Sequence, residues 1–332
     1  LTDAPGYLET DGSVESLAKA LEKADISLPE VYAELNMKSF DTVEAIIRNL
    51  TPSPLSLSVK MGEYHSNQNF VPDETKVIRS PFSARNVLEV SAKEFRLDIK
   101  TVKGRNYSFS DRFRLYGIPQ CSSMEALKTK EPIAVLDNGE LHLNNVDFIS
   151  NKLWTGPSDC SAELRMGYDK KNLYLNILVK DDIHWNNFKN SGIWAGDSIQ
   201  FAFDTMRDAK AKKMNGKTGF TEDDYLFTAA LANGTPQLYC HIAAVDNLKM
   251  RDKMLAAPEI KRDEKSKTTE YSITLPWKQL APFTPAKNKI FGFNFIVLDS
   301  DQENQVAPYW MQLTPGIAGG QMPEKFAGFV LE

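Results

Sequence analysis

Apolar and polar residues alternate strictly from Ser198 to Asp204, in the order Ser-Ile-Gln-Phe-Ala-Phe-Asp. Ile199, Phe201 and Phe203 share one side, and Ser198, Gln200, Ala202 and Asp204 share the other. Period two is the signature of a strand with one face in a core and one face free. Trp194 precedes the strand in a segment that holds Gly192 and Gly196. An aromatic ring at a strand mouth, beside outward polar groups, suits stacking on and hydrogen bonding to a small polar ring. The same spacing also suits a strand whose leading Trp is simply packed.

The alternation recurs along most of the chain. Leu55, Leu57 and Val59 alternate with Ser56, Ser58 and Lys60, and strand-like runs follow at Val87–Val90, Phe95–Val102 and Tyr107–Leu115. With a turn at 103–106 and no helix between them, they predict a small antiparallel sandwich over 51–125. A polar stretch from Gly117 to Glu131 reads as a linker. A second, larger β-sandwich is predicted for 131–332, from runs at 162–168, 173–179, 198–204, 225–231, 237–243, 269–275, 291–298, 309–313 and 326–331. The basic stretch 206–222 reads as a loop.

Only the first 50 residues break the pattern. Val14, Leu17, Ala18 and Leu21 fall on one helical face. So do Val43, Ile46, Ile47 and Leu50 after Asp41. Residues 1–50 therefore read as a helical segment, ended by Thr51-Pro-Ser-Pro54 because proline cannot continue a helix. The expected fold class is mostly β: two sandwiches behind a short helical start.

Composition narrows the chemistry. The 332 residues are 42% apolar, which is enough to bury real cores, and the formal net charge of −5 comes without any basic stripe. Nucleic acid is therefore not an expected partner. No apolar run approaches the ~18–20 residues of a membrane span. The chain opens on Leu1, not Met, so it reads as a mature form or a piece of something longer. Three cysteines (Cys121, Cys160, Cys240) exclude a full disulfide framework and leave one bridge open.

Candidate catalytic chemistry is thin. Four histidines lie far apart with no metal-ligand spacing, and no Ser occupies a Gly-x-Ser-x-Gly elbow. Adjacent acids such as Asp181 and Asp182 point to opposite faces of a strand, a poor arrangement for paired carboxylate catalysis. Asp181, Asp182, Asp299 and Asp301, with backbone carbonyls, form instead a candidate oxygen set for Ca²⁺. Trp185, in His184-Trp-Asn-Asn187, is a candidate second stacking surface near Trp194.

The motifs then fall into a familiar order. Tyr168-Asp-x-x-x-Leu-Tyr174, Val179-Lys-Asp-Asp182, Trp194-x-x-Asp-Ser-Ile, Tyr271-Ser-Ile-Thr-Leu-Pro-Trp277, Gly292-Phe-Asn-Phe-x-Val-x-Asp299 and Pro323-Glu-Lys-Phe-Ala-Gly follow one another. This series resembles the family 9 carbohydrate-binding module over about 131–332. The resemblance implies a jelly-roll-like β-sandwich, found at the ends of secreted xylanases and other glycan-active bacterial proteins and often carrying structural calcium. Residues 1–120 resemble only a small helical piece followed by a generic immunoglobulin-like module. Sugar-binding members clamp a terminal ring between two tryptophans, amid a carboxylate, an arginine and amides. Here Trp194 matches the first tryptophan. The carboxylate position falls on Gln200 and the arginine position on Thr228. Asn294 matches, but the amide position two residues on is Ile296, and residues 316–323 hold no aromatic for the second wall.

With Ala202, Leu226, Ala230, Ile296 and Leu298 expected on the Gln200 side, that face needs a cover. The 206–222 loop, the 300–322 loop and the N-terminal domain are the candidates. The reading is a non-catalytic accessory module, secreted or at the cell surface, that binds oligo- or polysaccharide through Trp194, Gln200, Asn294, Thr228 and Trp185. It needs no cofactor beyond structural calcium and packs against other domains of a longer chain. The competing reading is a structural or protein-interaction module that keeps the fold and has lost the pocket.

Overall fold

The computed structural model describes residues 29–84, 86–137, 141–143, 154–212, 219–303 and 305–332. The chain divides into two compact units that are discontinuous in sequence: 1–34, 45–78 and 96–109 in one, and 35–44, 79–95 and 110–332 in the other.

The strands begin with β1 (Val31–Ser39), β2 (Thr42–Asn49), β3 (Leu55–Met61), β4 (Tyr64–Phe70), β5 (Thr75–Pro81), β6 (Phe95–Thr101) and β7 (Asn106–Asp111). One sheet has the order β1-β2-β5 and another β4-β3-β6-β7. In the smaller unit, Leu57 and Val59 of β3 and Leu97 and Ile99 of β6 turn inward and are buried. The residues between them, Ser58, Lys60 and Lys100 among them, face outward, as the period-two pattern requires.

Residues 31–49, expected as helix, are a β-hairpin. Val43 to Ile47 are all buried, so both faces are covered and the spacing carries no period. An i, i+3, i+4 match then arises by accident, and the β-branched side chains favour the strand. Asp41, read as a helix cap, serves the turn, where its Oδ1 accepts from the Ser39 and Thr42 hydroxyls at 2.5 and 2.9 Å. The expected helix over 14–21 lies outside the described residues. Val87–Val90, expected as strand, lies in a short helix, Val87–Ala92, capped by Asn86, whose side chain accepts the Glu89 N–H.

The larger unit continues with β8 (Leu115–Ile118), β9 (Ala134–Leu136), β10 (Leu141–Leu143), β11 (Cys160–Tyr168), β12 (Asn172–Asp181), β13 (Ser198–Asp204) and β14 (Asp224–Ala232). It ends with β15 (Thr235–Ile242), β16 (Lys253–Met254), β17 (Glu259–Asp263), β18 (Thr268–Pro276), β19 (Ile290–Asp299), β20 (Tyr309–Gln312) and β21 (Ala327–Leu331). Between β8 and β9, the stretch read as linker holds a helical turn, Met124–Lys128, capped by Ser123.

Two sheets face each other. The five-stranded one runs β17-β18-β12-β11-β9. The larger runs β10-β20-β19-β13-β14-β15-β16, and β21 pairs with β19 and, in parallel, with β8. Their shared core holds Ile199, Phe201 and Phe203, the three inward residues of β13, against Leu164, Leu175 and Tyr271 from the other sheet. Phe203 is fully buried and meets Phe293 and Phe227 at centroid distances of 5.1 and 6.3 Å. Tilted and edge-on aromatic contacts of this kind add to the burial term.

The other face of the large sheet is covered too. Ala202, Leu226, Ile296, Leu298 and Trp310 form an outer cluster under Ala307, Ile317 and Phe326. The 300–322 loop supplies most of this roof, and Phe220 packs at its edge.

Phe203→Ala is expected to cost about 3–5 kcal/mol of stability, because it opens a cavity between rings that cannot collapse. Urea unfolding followed by far-UV circular dichroism checks this. A loss below about 1 kcal/mol would mean that the aromatic layer is loosely packed.

Candidate functional site

The site is assembled where β12, β13 and β19 meet their loops. Asp197, just before β13, is buried. Its Oδ1 accepts the Ser300 N–H at 2.6 Å, its Oδ2 accepts the Trp185 N–H, and its own N–H donates to the Trp185 carbonyl at 3.0 Å. Burial, then the neighbouring Asp181, push its carboxyl well above the ordinary range, against the pull of the two N–H donors.

Asn186 completes the frame. Its side-chain amide donates to the carbonyls of Ile193 and Asp197 at 2.8 and 3.0 Å, and its Oδ1 accepts the Phe188 N–H. Gly196 permits the close approach, since a Cβ there would stand 2.8 Å from the Trp185 carbonyl oxygen. The result is a fixed 3-10 turn, Asn190–Ala195, that carries Trp194. Trp194 is half-buried and packs on the edge of the outer cluster. Trp185 is also half-buried, edge-on to Phe188 at 5.4 Å.

Gln200 lies outward on β13, opposite Thr228 and Ile296 on its two neighbours. It is half-exposed, and its amide donates to the Thr228 hydroxyl at 3.1 Å. Thr228 is fully buried and in turn contacts His241 Nε2 at 2.8 Å. Burial depresses the His241 pKa, which favours a neutral ring. Tyr239 lies against that ring at 4.8 Å. Asn294 is buried elsewhere: its amide donates to the Thr314 carbonyl and its Oδ1 accepts the Thr314 N–H. Trp194, Gln200 and Thr228 thus share one region of the outer face, whereas Asn294 holds the roof loop. His241, Asn186 and Asp197 were not singled out from sequence. Only Asp197 left a trace there, as the acid of Trp194-x-x-Asp.

The four acids named from sequence come together. Asp181, Asp299 and Asp301 offer carboxylate oxygens within 4.8 Å of one another, and so do Asp159, Asp182 and Asp301. Asp159 is the addition. Asp181 is tied to the buried Arg262 at 3.2 Å, and Asp299 accepts from the Tyr309 hydroxyl. Asp301 Oδ1 is buried without a hydrogen-bond partner. Burial, then Asp159, push the Asp301 carboxyl up to about 6. A second acidic group, Asp204, Asp208 and Asp223, lies at the far end of β13. All three cysteines are free and buried, so the bridge left open by their count does not form.

The chain matches the carbohydrate family 9 binding domain-like profile over residues 140–315, more than half its length. The chain belongs to that family. The matched region spans Trp194, Gln200, Thr228 and Asn294. Members of this family are non-catalytic binding modules. A family 9 carbohydrate-binding module from Caldicellulosiruptor kristjanssonii, solved with cellotriose, is 16% identical, with 66% of this chain and 94% of that chain covered and a TM-score of 0.42. The same organism's module solved with glucose is 15% identical over 66% and 96% of the two chains, with a TM-score of 0.41. A putative carbohydrate-binding protein from Bacteroides uniformis is 13% identical over 66% and 99%, at 0.39. Endo-1,4-beta-xylanase A of Thermotoga neapolitana is 24% identical over 221 residues, 61% of this chain. The match spans only 18% of that xylanase. Among the described residues no helix is long and apolar enough to cross a membrane.

Two predictions follow from the frame and the acids. Asn186→Ala leaves two carbonyls and one N–H without their partner, which is expected to cost roughly 1–3 kcal/mol. Faster amide hydrogen exchange confined to 185–197 checks it, and unchanged exchange there would assign the frame to other contacts. The second concerns pH. Burial, then Asp223, raise the Asp204 carboxyl to about 7. Burial, then Asp204, raise that of Asp224 to about 8. Raised folded-state values mean that the folded state holds protons the unfolded chain has released. The stability these groups contribute is full below about pH 4 and is lost as pH rises through 7 and 8. The Tm in metal-free buffer should therefore fall from pH 5 to pH 8.5, with a shallower fall in Asp224→Asn. Equal slopes in the two proteins would show that Asp224 is not linked to folding.

Proposed function

We propose that this chain is a non-catalytic accessory module of a secreted or cell-surface glycan-active bacterial protein. It captures carbohydrate at the Trp194–Gln200 end of its outer face. The observation that carries this reading is a contrast within one face. Ile296 and Leu298 lie roofed by apolar residues, yet Gln200 beside them is a half-buried polar side chain backed by Thr228 and His241. The bond to Thr228 uses only part of the hydrogen-bonding capacity of the Gln200 amide, which leaves the rest for a polar ligand. Trp194, held at its rim, supplies the stacking ring, for which about 0.5–1.5 kcal/mol beyond burial is typical. The family match supports the ligand class. Trp185 is the second aromatic within the same frame, in place of the wall absent from 316–323.

The competing reading, a scaffold or protein-interaction module without a pocket, draws support from the roofed Ile296 and from Asn294, whose amide is spent on the loop backbone. Tryptophan fluorescence titrated with gluco- and xylo-oligosaccharides separates the two. Saturable change in the native chain, weakened at least ~10-fold in Trp194→Ala, is expected. No change in either folded protein would leave the scaffold reading.

The acid cluster fits a structural Ca²⁺. Its donors are all oxygens, and one buried oxygen of Asp301 is unpartnered. Asp159, Asp182 and Asp301 would hold the ion, with the exposed Asp182 at the open side and Asp181 and Asp299 behind, engaged with Arg262 and Tyr309. The ion would supply the charge that lets these acids stay ionised together. Calcium at about 100 times its Kd is expected to add roughly 2.7 kcal/mol of stability, reversed by chelator. Scanning calorimetry checks it. An equal response in Asp301→Asn would move the ion elsewhere.

A further inference from the structure

A β-bulge sets one histidine of the larger unit out of step with its neighbours. Along β15, Cys240 pairs with Phe227 of β14 and Ile242 pairs with Leu226, so His241 is the extra residue and has no register partner. A bulge of this kind re-aims a side chain. Here it brings the His241 ring to the outer face, with Nε2 2.8 Å from the Thr228 hydroxyl. Gln200 on β13, Thr228 on β14 and His241 on β15 therefore form one line across adjacent strands.

The line has a direction. Gln200 Nε2 donates to the Thr228 oxygen at 3.1 Å. Thr228 is fully buried, and among the described residues its hydroxyl proton has one acceptor, His241 Nε2. The amide nitrogen cannot serve, because it donates and does not accept. A bare Nε2 means a neutral ring with its proton on Nδ1. At the other end, an amide that turns its nitrogen to Thr228 keeps Oε1 free among the described residues. Burial holds the ring below the ordinary histidine range. The titratable groups that face it are Tyr239, against the ring at 4.8 Å, and Asp252, whose smaller effect runs the other way. Asp252 itself lies 3.9 Å from Arg251. Lys253 of β16 is the register partner of Cys240, on the core side of the sheet.

We infer that His241 is a positioning residue for the Trp194–Gln200 site: by accepting the Thr228 proton it makes Gln200 turn its carbonyl oxygen to the ligand, so that the site takes a donating sugar hydroxyl there. This role rests on the carbohydrate reading above and fixes the sense of its central hydrogen bond. A protonated His241 reverses the line. Its Nε2–H then donates to the Thr228 oxygen, the Thr228 proton turns to Gln200, and the amide presents Nε2 in place of Oε1. A ligand that covers this face also takes water from the ring, which disfavours the charged form. Both effects tie tight binding to the neutral ring. Affinity is therefore full above the His241 titration and falls as pH drops through it.

Nitrogen-15 spectra of the imidazole rings test the line without any ligand, and the signals lost in His241→Gln identify the ring. The expected result is the Nδ1–H tautomer at pH 7.5, with a Gln200 side-chain amide signal that moves at the same midpoint as His241 when the pH is lowered. Tryptophan fluorescence titrated with gluco- and xylo-oligosaccharides, at pH 7.5 and below that midpoint, then tests the role. Native affinity should fall at the lower pH. His241→Phe keeps a ring against Tyr239 and removes the acceptor. It should weaken binding about 5-fold at pH 7.5, the factor of roughly one hydrogen bond. His241→Gln, whose carbonyl can accept the same proton, should recover most of that loss and lose the pH dependence. An Nε2–H tautomer at pH 7.5 would overturn the inference whatever the sugars do. So would equal binding by the native chain and His241→Phe, or a native pH dependence that persists in His241→Gln. No saturable binding by the folded native chain at either pH, with the Nδ1–H tautomer present, would strike the carbohydrate reading itself, and the role toward a ligand would fall with it.

Discussion

One buried carboxylate ties the functional end of the larger unit together. Asp197 accepts backbone N–H groups from Trp185 and Ser300, which belong to loops far apart in sequence. Together with the Asn186 amide it ties the 185–195 segment to the strand that follows, and it ties the loop after β19 beside the acid cluster. Trp185 and the acid cluster are thus neighbours through a single side chain. An ionised carboxylate would hold those N–H groups more strongly than a neutral acceptor, but burial, then Asp181 and Asp299, push Asp197 toward its neutral form. Arg262 and His184 face that crowd from the other side, His184 with its Nδ1 3.5 and 3.6 Å from Asp181 and Asp197.

The outer face of the large sheet shows how one surface serves two ends. At Ile296 and Leu298 it behaves as a second small core, closed by the 300–322 loop. At Gln200 it turns polar. The boundary runs between adjacent strands in the same transverse row, since Gln200 and Ile296 are register partners. Asn294 sits on the closed side and spends its amide on the loop that closes it. The loop that seals the apolar half is thus held by a side chain of the sheet it covers.

Much of the larger unit was legible in the sequence because its strands are amphipathic in the simple way. The inward Ile199, Phe201 and Phe203 and the outward Ala202 and Gln200 follow directly from period two. So does the need for a cover over Ile296 and Leu298. The hairpin over 31–49 was not legible, because a strand buried on both faces has no period to read. Val87–Val90 misled for a related reason: four mostly apolar residues fit a strand or a helical turn, and the deciding feature was the Asn86 cap. At the site, Trp194, Gln200 and Thr228 could be placed from motif spacing. Asn186 and His241 could not, since their roles depend on long-range hydrogen bonds that leave no local pattern. Asp159 joins Asp182 and Asp301 only after β11 and β12 pair.

The parallel pairing of β8 with β21 bears on how the larger unit is made. Leu115 lies opposite Gly328, and Ile118 opposite Leu331, so one edge of the large sheet joins segments more than 200 residues apart. Closing so long a loop is entropically slow compared with the hairpins between them. During synthesis, β8 and the apolar side of β19 must wait, unpaired, until residues 327–331 have been made. Until then the edge of β19 at Ile290–Phe293 has no strand on that side, so the last five-residue strand joins β8, from early in the chain, to the middle of the sheet.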